Sequence, residues 1–194
     1  MRLAADLHLH SRHARATSRE ADLEGYYRWA LVKGIQVVGT GDFTHPGWFS
    51  ELGEKLVERD GLYALREPPR GSPLEGVSPA GGPVRFMLTT EISSIYRKHG
   101  LVRKVHSLIG VPLLEHARRL GARLAAIGNV ASDGRPILGL DPKDLLAILL
   151  DITPEGFLIP AHVWTPWFSL FGSKSGFDAI EECFEDLTPH IFAL

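Results

Sequence analysis

The sequence of 194 residues contains one cysteine and no long apolar run. Cys183 cannot form a disulfide within the chain, and its place in an apolar helical pattern predicts a buried packing residue. No stretch reaches the roughly 18 apolar residues of a membrane-spanning helix, and the N-terminus lacks the basic and apolar regions of a secretory signal. We therefore expect a cytoplasmic protein without membrane contact.

An excess of positive charge is also lacking. The formal net charge is −2, which gives no overall electrostatic case for binding nucleic acid. With 44% hydrophobic residues, the chain is long enough for one domain with a full core. Histidine is frequent instead: nine are present, several of them next to Asp, Glu or Pro at the ends of apolar runs. This placement raises the hypothesis of metal binding.

Apolar spacing predicts alternating strands and helices. A strand over 3–9, a helix that begins after Ser18 and ends at Gly34, and a strand over 35–39 form a βαβ unit, which favours a parallel sheet. A long insertion rich in Pro and Gly, residues 59–83, interrupts the alternation. The further predicted elements are strands over 84–90, 124–127, 156–161 and from 190, a hairpin around His99 and Gly100, and helices over 46–58, 112–120, 141–152 and 176–186.

Candidate metal ligands lie at the ends of the predicted strands. His8 and His10 alternate with leucines, so both imidazoles point to one side, although either can also be an ordinary core or surface histidine. Asp42 follows the second strand and can ligate a metal or orient a ligating histidine. His45 has the same two options, or it caps the helix that starts at Pro46.

Three further donors follow later in the chain. Glu91 ends the strand over 84–90, His162 ends the strand over 156–161, and His106 lies near the returning end of the hairpin. Because parallel strands of a barrel open on one face, these residues can converge. Imidazole with carboxylate suits Zn²⁺, Mn²⁺ or Fe²⁺, and more than four donors indicate two ions, which would clamp a phosphoryl group. The predicted reaction is metal-assisted phosphoester hydrolysis.

Two segments are candidates for substrate contact. The hairpin carries four cationic side chains that can bind an anion or simply be solvated charges of an edge hairpin: Arg97, Lys98, Arg103 and Lys104. The stretch 163–172 is rich in aromatic residues, which stack on nucleobases if exposed or plug one end of a barrel if buried. Trp164 is the best stacking candidate because it is close to His162.

At these residues the sequence resembles the PHP (polymerase and histidinol phosphatase) superfamily, whose fold is a distorted, TIM-like (β/α)7 barrel with up to three metal ions. The motifs in family order are His8-x-His10, the run 39–42, Glu91, His106 and the run 160–162. More narrowly, the stretches 5–18, 39–46, 102–106 and 132–136 look like endonuclease Q, and the resemblance covers nearly the whole chain. That branch cleaves DNA on the 5′ side of deaminated bases, such as uracil and hypoxanthine, and of abasic sites.

The resemblance implies a role for each matching residue. One metal would bind His8, His10 and Glu91, and a second would bind the bridging Glu91 with His106 and His162. Asp42 stands at a third site, which is absent or uses His45, because residues 41–43 depart from the common Thr-Asp-His pattern. The implied cofactors are two or three Zn, Mn or Mg ions, and Glu91, Asp42 and His106 are the implied catalytic residues.

The implied partner is DNA with a deaminated or abasic lesion. The hairpin cations Arg97, Lys98, Arg103 and Lys104 would meet its phosphates, and Trp164 would support an everted base. The family's final Asp-x-His motif and the cysteine cluster of endonuclease Q do not occur in the sequence. The chain is therefore expected to be an N-terminal portion with an incomplete barrel. A phosphatase acting on a small monoester and a non-catalytic fragment that binds metal and DNA stay open as alternatives.

Overall fold

The strands and helices come from a computed structural model, which describes residues 3–70 and 82–194. Within these ranges the chain is a mixed α/β fold. The strands are β1 Ala5–Asp6, β2 Val37–Gly39, β3 Leu56–Arg59, β4 Leu62–Leu65, β5 Arg85–Lys98, β6 Leu101–Val111, β7 Ile137–Leu138 and β8 Phe157–Pro160. The helices are α1 Leu23–Lys33, α2 Pro46–Lys55, α3 Leu114–Ala125, α4 Pro142–Ile152 and α5 Ile180–Phe184, and a 3₁₀ helix covers Glu185–His190.

Side-chain caps fix where three of the helices begin. Asp22, and not Ser18 as predicted, accepts a hydrogen bond from the Gly25 amide and starts α1, which ends at Gly34 in the left-handed conformation. Asp141 caps α4 as the sequence predicts. His45 caps α2 by accepting a hydrogen bond from the Trp48 amide. This cap is one of the alternatives left open for His45.

The sheet is mixed. β1, β2 and β5 are parallel neighbours, β6 pairs antiparallel with β5, and β8 pairs antiparallel with β6, so β8 points the same way as β5. The β3–β4 hairpin adds to the other part of β5. Within the described ranges β1 and β8 are the outer strands of this series and do not pair with each other. The parallel βαβ unit predicted at the N-terminus is confirmed, whereas the returning strand β6 makes the whole sheet mixed.

The β5–β6 hairpin is longer than predicted. The strand predicted to stop at Thr90 continues to Lys98, so Glu91 lies inside β5 opposite Leu108, and the turn at His99 and Gly100 is where the sequence predicts it. Fourteen-residue β5 is possible because both strands are buried by helices and loops over much of their length. His106 also lies inside its strand, opposite Ser93.

Other predicted elements are wrong. Residues 124 and 125 belong to α3, because Leu120 and Leu124 continue its buried stripe past Gly121. No strand begins at His190, since residues 191–194 follow the 3₁₀ helix without regular structure. The 59–83 insertion contains the β3–β4 turn and all of β4, while its part over 71–81 lies outside the described residues.

The core lies between the sheet and the helices. Fully buried side chains include Phe86 and Ile92 of β5, Ile109 of β6 and Leu149 of α4. Cys183 is buried and unpaired, as the sequence predicts. In the described part of the chain, no helix has the length and apolar character needed to cross a membrane.

Candidate metal centre

The carboxylate of Glu91 is the centre of the site. It is 1% exposed and lies among four imidazoles that arrive from separate parts of the chain. His8 and His10 follow β1, His106 lies in β6, and His162 follows β8. They meet because β1, β5 and β8 point the same way and β6 runs between β5 and β8. The convergence predicted from the sequence is therefore present.

The ring nitrogens surround both oxygens of Glu91. Oε1 lies 3.2 Å from Nε2 of His8, 3.0 Å from Nδ1 of His106 and 3.5 Å from Nε2 of His162. Oε2 lies 2.9 Å from Nε2 of His10. Despite these short distances Oε1 is buried with no hydrogen-bond partner within the described ranges, which is costly for a carboxylate.

These donors fit divalent metal ions. Two groups each bring three ligand atoms within 4.8 Å of one another, namely His8, His10 and Glu91, and Glu91, His106 and His162. They are the two ligand sets that the resemblance implies. Two imidazoles and a carboxylate are suitable donors for Zn²⁺ or Mn²⁺, and a shared carboxylate can bridge two ions. A cation would also satisfy the otherwise orphaned Oε1.

The carboxylate of Asp42 contacts His10 and Ser11 and not the carboxylate of Glu91. Its Oδ1 lies 2.9 Å from Nδ1 of His10, and its Oδ2 accepts hydrogen bonds from the backbone amide and the hydroxyl of Ser11 at 2.6 and 2.8 Å. The side chain is completely buried, so both oxygens are already used. Of the two roles left open by the sequence, orienting a histidine is the one that this geometry supports. In the described ranges Asp42 belongs to neither three-residue ligand group.

The contacts of His10 shift its protonation. Burial of the ring opposes the charged form, but the hydrogen bonds to Asp42 and Glu91 outweigh it and raise the pKa of His10 to about 9. Burial would raise the pKa of Glu91, yet the surrounding histidines lower that pKa far below its usual range. Burial lowers the pKa of His106, so its ring is neutral at pH 7. Without metal, one proton is therefore held between His10 and two carboxylates.

Two residues that the sequence reasoning missed hold the other histidines. Thr165 Oγ1 lies 3.2 Å from Nδ1 of His162, which leaves Nε2 of that ring toward Glu91. The ring of Phe168 packs 4.8 Å from the ring of His106. Neither could be assigned from strand periodicity, because both lie in the loop after β8.

His45 lies away from the cluster. Its ring stacks on that of His13 with centroids 4.3 Å apart, and its Nδ1 lies 3.4 Å from the Trp48 amide that it caps. Within the described ranges His45 and Asp42 belong to neither group of donors that could hold one ion, and a third site on them stays a prediction.

Alternation along the hairpin divides its cations between two faces. The register places Arg97 and Lys104 on the face of Glu91 and His106. Lys98 and Arg103 lie on the opposite face and are already engaged. Lys98 Nζ lies 3.1 Å from Asp141 and 2.8 Å from Glu185, and Arg103 donates to the Gly176 carbonyl and covers the Phe177 ring. Both side chains therefore have partners within the fold, and their binding of phosphate stays a prediction.

Exposed aromatic rings lie beside the site. Trp164 is 80% exposed, and Trp167 is about half exposed. Lys104 Nζ lies 4.9 Å from the centre of the Trp167 ring, at cation–π distance. Leu170 of the same segment is buried, so the stretch is part surface and part plug, as predicted. Trp167 was not singled out from the sequence.

Arg135 is a further residue that the sequence reasoning left without a role. Its guanidinium lies 3.4 Å from Oε2 of Glu91. The available signal was the run 132–136, which was noted only for its resemblance to endonuclease Q.

Two solved structures of endonuclease Q have a fold similar to that of this chain. The chain is similar to a crystal structure of the lesion-specific endonuclease Q from Pyrococcus furiosus, with 26% identity and a TM-score of 0.74 over 95% of this chain and 40% of that chain. It is also similar to endonuclease Q in complex with a 27-mer duplex substrate with an abasic lesion at the active site, with 27% identity and a TM-score of 0.73 over 94% of this chain and 40% of that chain.

A curated relative is similar over a somewhat smaller part of the chain. An uncharacterised protein of Methanocaldococcus jannaschii is 29% identical over 162 residues, which are 83% of this chain and 16% of the relative. No family model matches the chain. The chain thus spans less than half the length of the proteins that it matches.

The fold is similar to that of endonuclease Q, and the histidine cluster around one buried glutamate is the arrangement that the resemblance to the PHP superfamily implies. The chain is endonuclease Q-like, because its similarity to both endonuclease Q structures extends over nearly all of its residues. The resemblance read from the sequence is confirmed.

Proposed function

We propose that this chain carries the metal centre of a metal-dependent endonuclease that cuts DNA on the 5′ side of uracil, hypoxanthine or an abasic site. The observation that supports this most is the single buried carboxylate, Glu91, shared by two groups of histidine donors in a chain similar to endonuclease Q. The similar proteins are a lesion-specific endonuclease and an endonuclease Q bound to an abasic duplex. The cut on the 5′ side and the uracil and hypoxanthine substrates rest on the family resemblance of the sequence.

The proposed ligands are the two groups that share Glu91. His8, His10 and Glu91 would hold one divalent ion, and Glu91, His106 and His162 would hold another, with Zn²⁺, Mn²⁺ or Mg²⁺ as the candidates. Two bound ions would polarise a phosphodiester and lower the pKa of a water molecule at the site. Glu91 and His106 would act on the reacting groups through the metal ions that they bind.

The side chains of this site keep the donors in place. Asp42 fixes the His10 ring through Nδ1, so Nε2 of that ring is the nitrogen directed at Glu91. Thr165 does the same for His162. Such contacts set the tautomer and the orientation of a ligating imidazole. Asp42 is proposed as a positioning residue for His10.

Substrate contacts are proposed on the open side of the hairpin. Arg97 and Lys104 share the face of Glu91 and His106, so a DNA backbone that reaches the centre can meet both charges. Trp164 has an exposed ring that an unstacked base can contact. The structure of a similar protein with an abasic duplex supports DNA as the substrate class.

The proposal also covers the type of barrel to which the sheet belongs. We propose that β1, β2, β5, β6 and β8 belong to a distorted seven-stranded (β/α) barrel whose open side lies between β1 and β8. The cytoplasmic location stays a prediction.

The decisive experiment incubates the purified chain with duplex DNA that has one deoxyuridine or one abasic site, in Mn²⁺, Mg²⁺ or Zn²⁺. End-labelled strands on a denaturing gel then map any nick. We expect a nick 5′ to the lesion, lost in His8→Ala because one ligand is removed, and retained in the matched control His190→Ala, whose side chain is exposed.

Other results would change the assignment. Release of phosphate from p-nitrophenyl phosphate without any DNA nick would replace the endonuclease with a phosphatase acting on small monoesters. Binding of lesion DNA in Mn²⁺ without cleavage of either substrate would favour a non-catalytic module that binds metal and DNA.

A further inference from the structure

Arg135 lies against the metal centre although a guanidinium is not a metal ligand. Its NH1 lies 3.4 Å from Oε2 of Glu91, and 37% of its side chain is exposed to solvent. Across residues 3–70 and 82–194, no other arginine or lysine is paired with Glu91. The guanidinium therefore contacts the centre while part of the side chain stays exposed to solvent.

The backbone before and after Arg135 is firmly held. The Gly134 amide donates to the His13 carbonyl at 3.0 Å, and the Ser93 amide of β5 donates to the Pro136 carbonyl at 3.0 Å. Asp133 accepts from the amides of both Arg15 and Arg135. The guanidinium is thus delivered to the centre by a fixed loop, as a pre-organised binding group must be.

The close approach of Gly134 to Asp42 also fixes the position of the loop that carries Arg135. A Cβ on Gly134 would lie 2.3 Å from Oδ2 of Asp42, so the loop approaches the carboxylate as closely as a residue without a side chain permits. Asp42 in turn holds His10. The loop that carries Arg135 and the histidine donors therefore have a common support.

Charge indicates what Arg135 binds. When Glu91 serves as a ligand for divalent ions, its negative charge is shared with them and no longer balances the guanidinium. A cation beside such a centre is repelled unless an anion binds between them. The planar guanidinium forms paired hydrogen bonds to phosphate oxygens, which a lysine cannot match.

We propose that Arg135 binds a non-bridging oxygen of the substrate phosphate. The inference rests on the proposed function for the phosphate ester as substrate, and the same contact would serve a diester in DNA or a small monoester. Arg135 would then be a catalytic residue in the sense that it touches the substrate.

The test measures binding of inorganic phosphate to the 194-residue chain by calorimetry at saturating Mn²⁺, with metal content determined on the same samples. We expect Arg135→Gln to weaken phosphate binding at least tenfold and Arg135→Lys to weaken it less, both with metal content unchanged. Arg118→Gln is the matched control, because Arg118 pairs with Glu115 on the surface of α3. It should bind phosphate like the unmodified chain.

Two results would overturn the proposal. Phosphate binding of Arg135→Gln that equals that of the unmodified chain would show that the guanidinium does not meet phosphate. Loss of metal in both Arg135 variants would show that Arg135 acts on the ligand set and not on the substrate.

Cleavage kinetics separate this proposal from the endonuclease assignment and identify the source of the phosphate. A raised KM of Arg135→Gln for the uracil duplex identifies a DNA phosphate, and a raised KM for p-nitrophenyl phosphate alone identifies a monoester. If the unmodified chain cuts no DNA while Arg135→Gln loses phosphate binding, the endonuclease function fails and the role of Arg135 stands. If DNA is cut with kinetics that Arg135→Gln leaves unchanged, the opposite holds.

Discussion

Asp42 shows how one buried side chain can hold a histidine of the candidate metal site. Its two oxygens satisfy the His10 ring and both donors of Ser11, and Tyr26 donates a hydrogen bond to the His10 carbonyl at 2.5 Å. The histidine is therefore held at its ring and at its backbone. Orientation of this kind strengthens a ligand more than flexible placement does.

The variant Asp42→Asn should lower Mn²⁺ or Zn²⁺ affinity about 10- to 100-fold, because the amide cannot accept from both Ser11 and His10 in the same way. We also expect a loss of about 1–3 kcal/mol in the free energy of unfolding, since buried polar groups lose partners. Competition with a chromogenic chelator and thermal unfolding measure the two effects. Asp178→Asn, at an exposed position, serves as control. Unchanged metal affinity would contradict the positioning role.

The convergence of the donors could be predicted, and Asp42 was a candidate support, whereas the other supports could not be predicted. His8 and His10 were readable from strand alternation, and the grouping of Glu91 with His106 and His162 came from the family resemblance. The engagement of Lys98 by Asp141 and Glu185 depends on α4 and the 3₁₀ helix reaching the hairpin. Contacts between distant segments of this kind leave no periodic signal in the sequence.

The loop over 128–136 connects the metal centre with the chemistry proposed for the substrate. It is anchored at His13, at Asp42 and at β5. A shift of this loop would move Arg135 and loosen Asp42 at the same time. The element therefore couples two parts of the site through backbone hydrogen bonds and close packing.

Gly134→Ala should disturb both parts, because the new methyl group would overlap Oδ2 of Asp42. Overpacking of this size costs about 1–3 kcal/mol in the free energy of unfolding. Thermal unfolding and metal titration should both show the defect. Gly139→Ala is the matched control, since the nearest atom to its added Cβ is 4.0 Å away. Equal behaviour of the two variants would exclude tight docking of Gly134.

The elements also show where local patterns mislead. The strand predicted to end at Thr90 continues because Ser93 and Ser94 are buried in the sheet despite their polar side chains. Gly121 was taken as a helix stop, yet α3 passes through it. A glycine inside a helix costs about 1 kcal/mol, and the buried Leu120 and Leu124 outweigh that cost.

At the scale of the whole molecule, the metal centre makes stability depend on pH. The pKa of His10 is raised above 6.5 to about 9, so its contribution to stability is complete below pH 6.5 and is lost as the pH rises through 9. The pKa of Glu91 is lowered, so its contribution is present above about pH 4.5 and is lost as the pH falls. Both contributions are complete between these limits.

We therefore expect the metal-free protein to be most stable near pH 5.5 and less stable at pH 8.5, as measured by thermal unfolding with a chelator. Metal binding must displace the proton of His10, so the stabilisation by Mn²⁺ should grow from pH 7 to pH 9. At 100 times the Kd it amounts to about 2.7 kcal/mol. His10→Ala should flatten the dependence above pH 6.5. A metal-free protein that gains stability from pH 5.5 to 8.5 would contradict this account.

The fold class was predictable because βαβ periodicity is a strong signal, and the hairpin turn was marked by His99 and Gly100. The mixed direction of the sheet follows from that hairpin. Its returning strand, β6, lies between β5 and β8 and runs antiparallel to both. Strand order beyond neighbouring elements required the structure.

The four histidines meet on one carboxylate from widely separated positions along the chain. The donor set needs β1, β5, β6 and β8 together, so we expect it to form after the transition state for folding. Interactions that form after the transition state slow unfolding and leave the folding rate almost unchanged. An ion held by Glu91 would thus lengthen the lifetime of the native state without increasing the rate at which the chain folds.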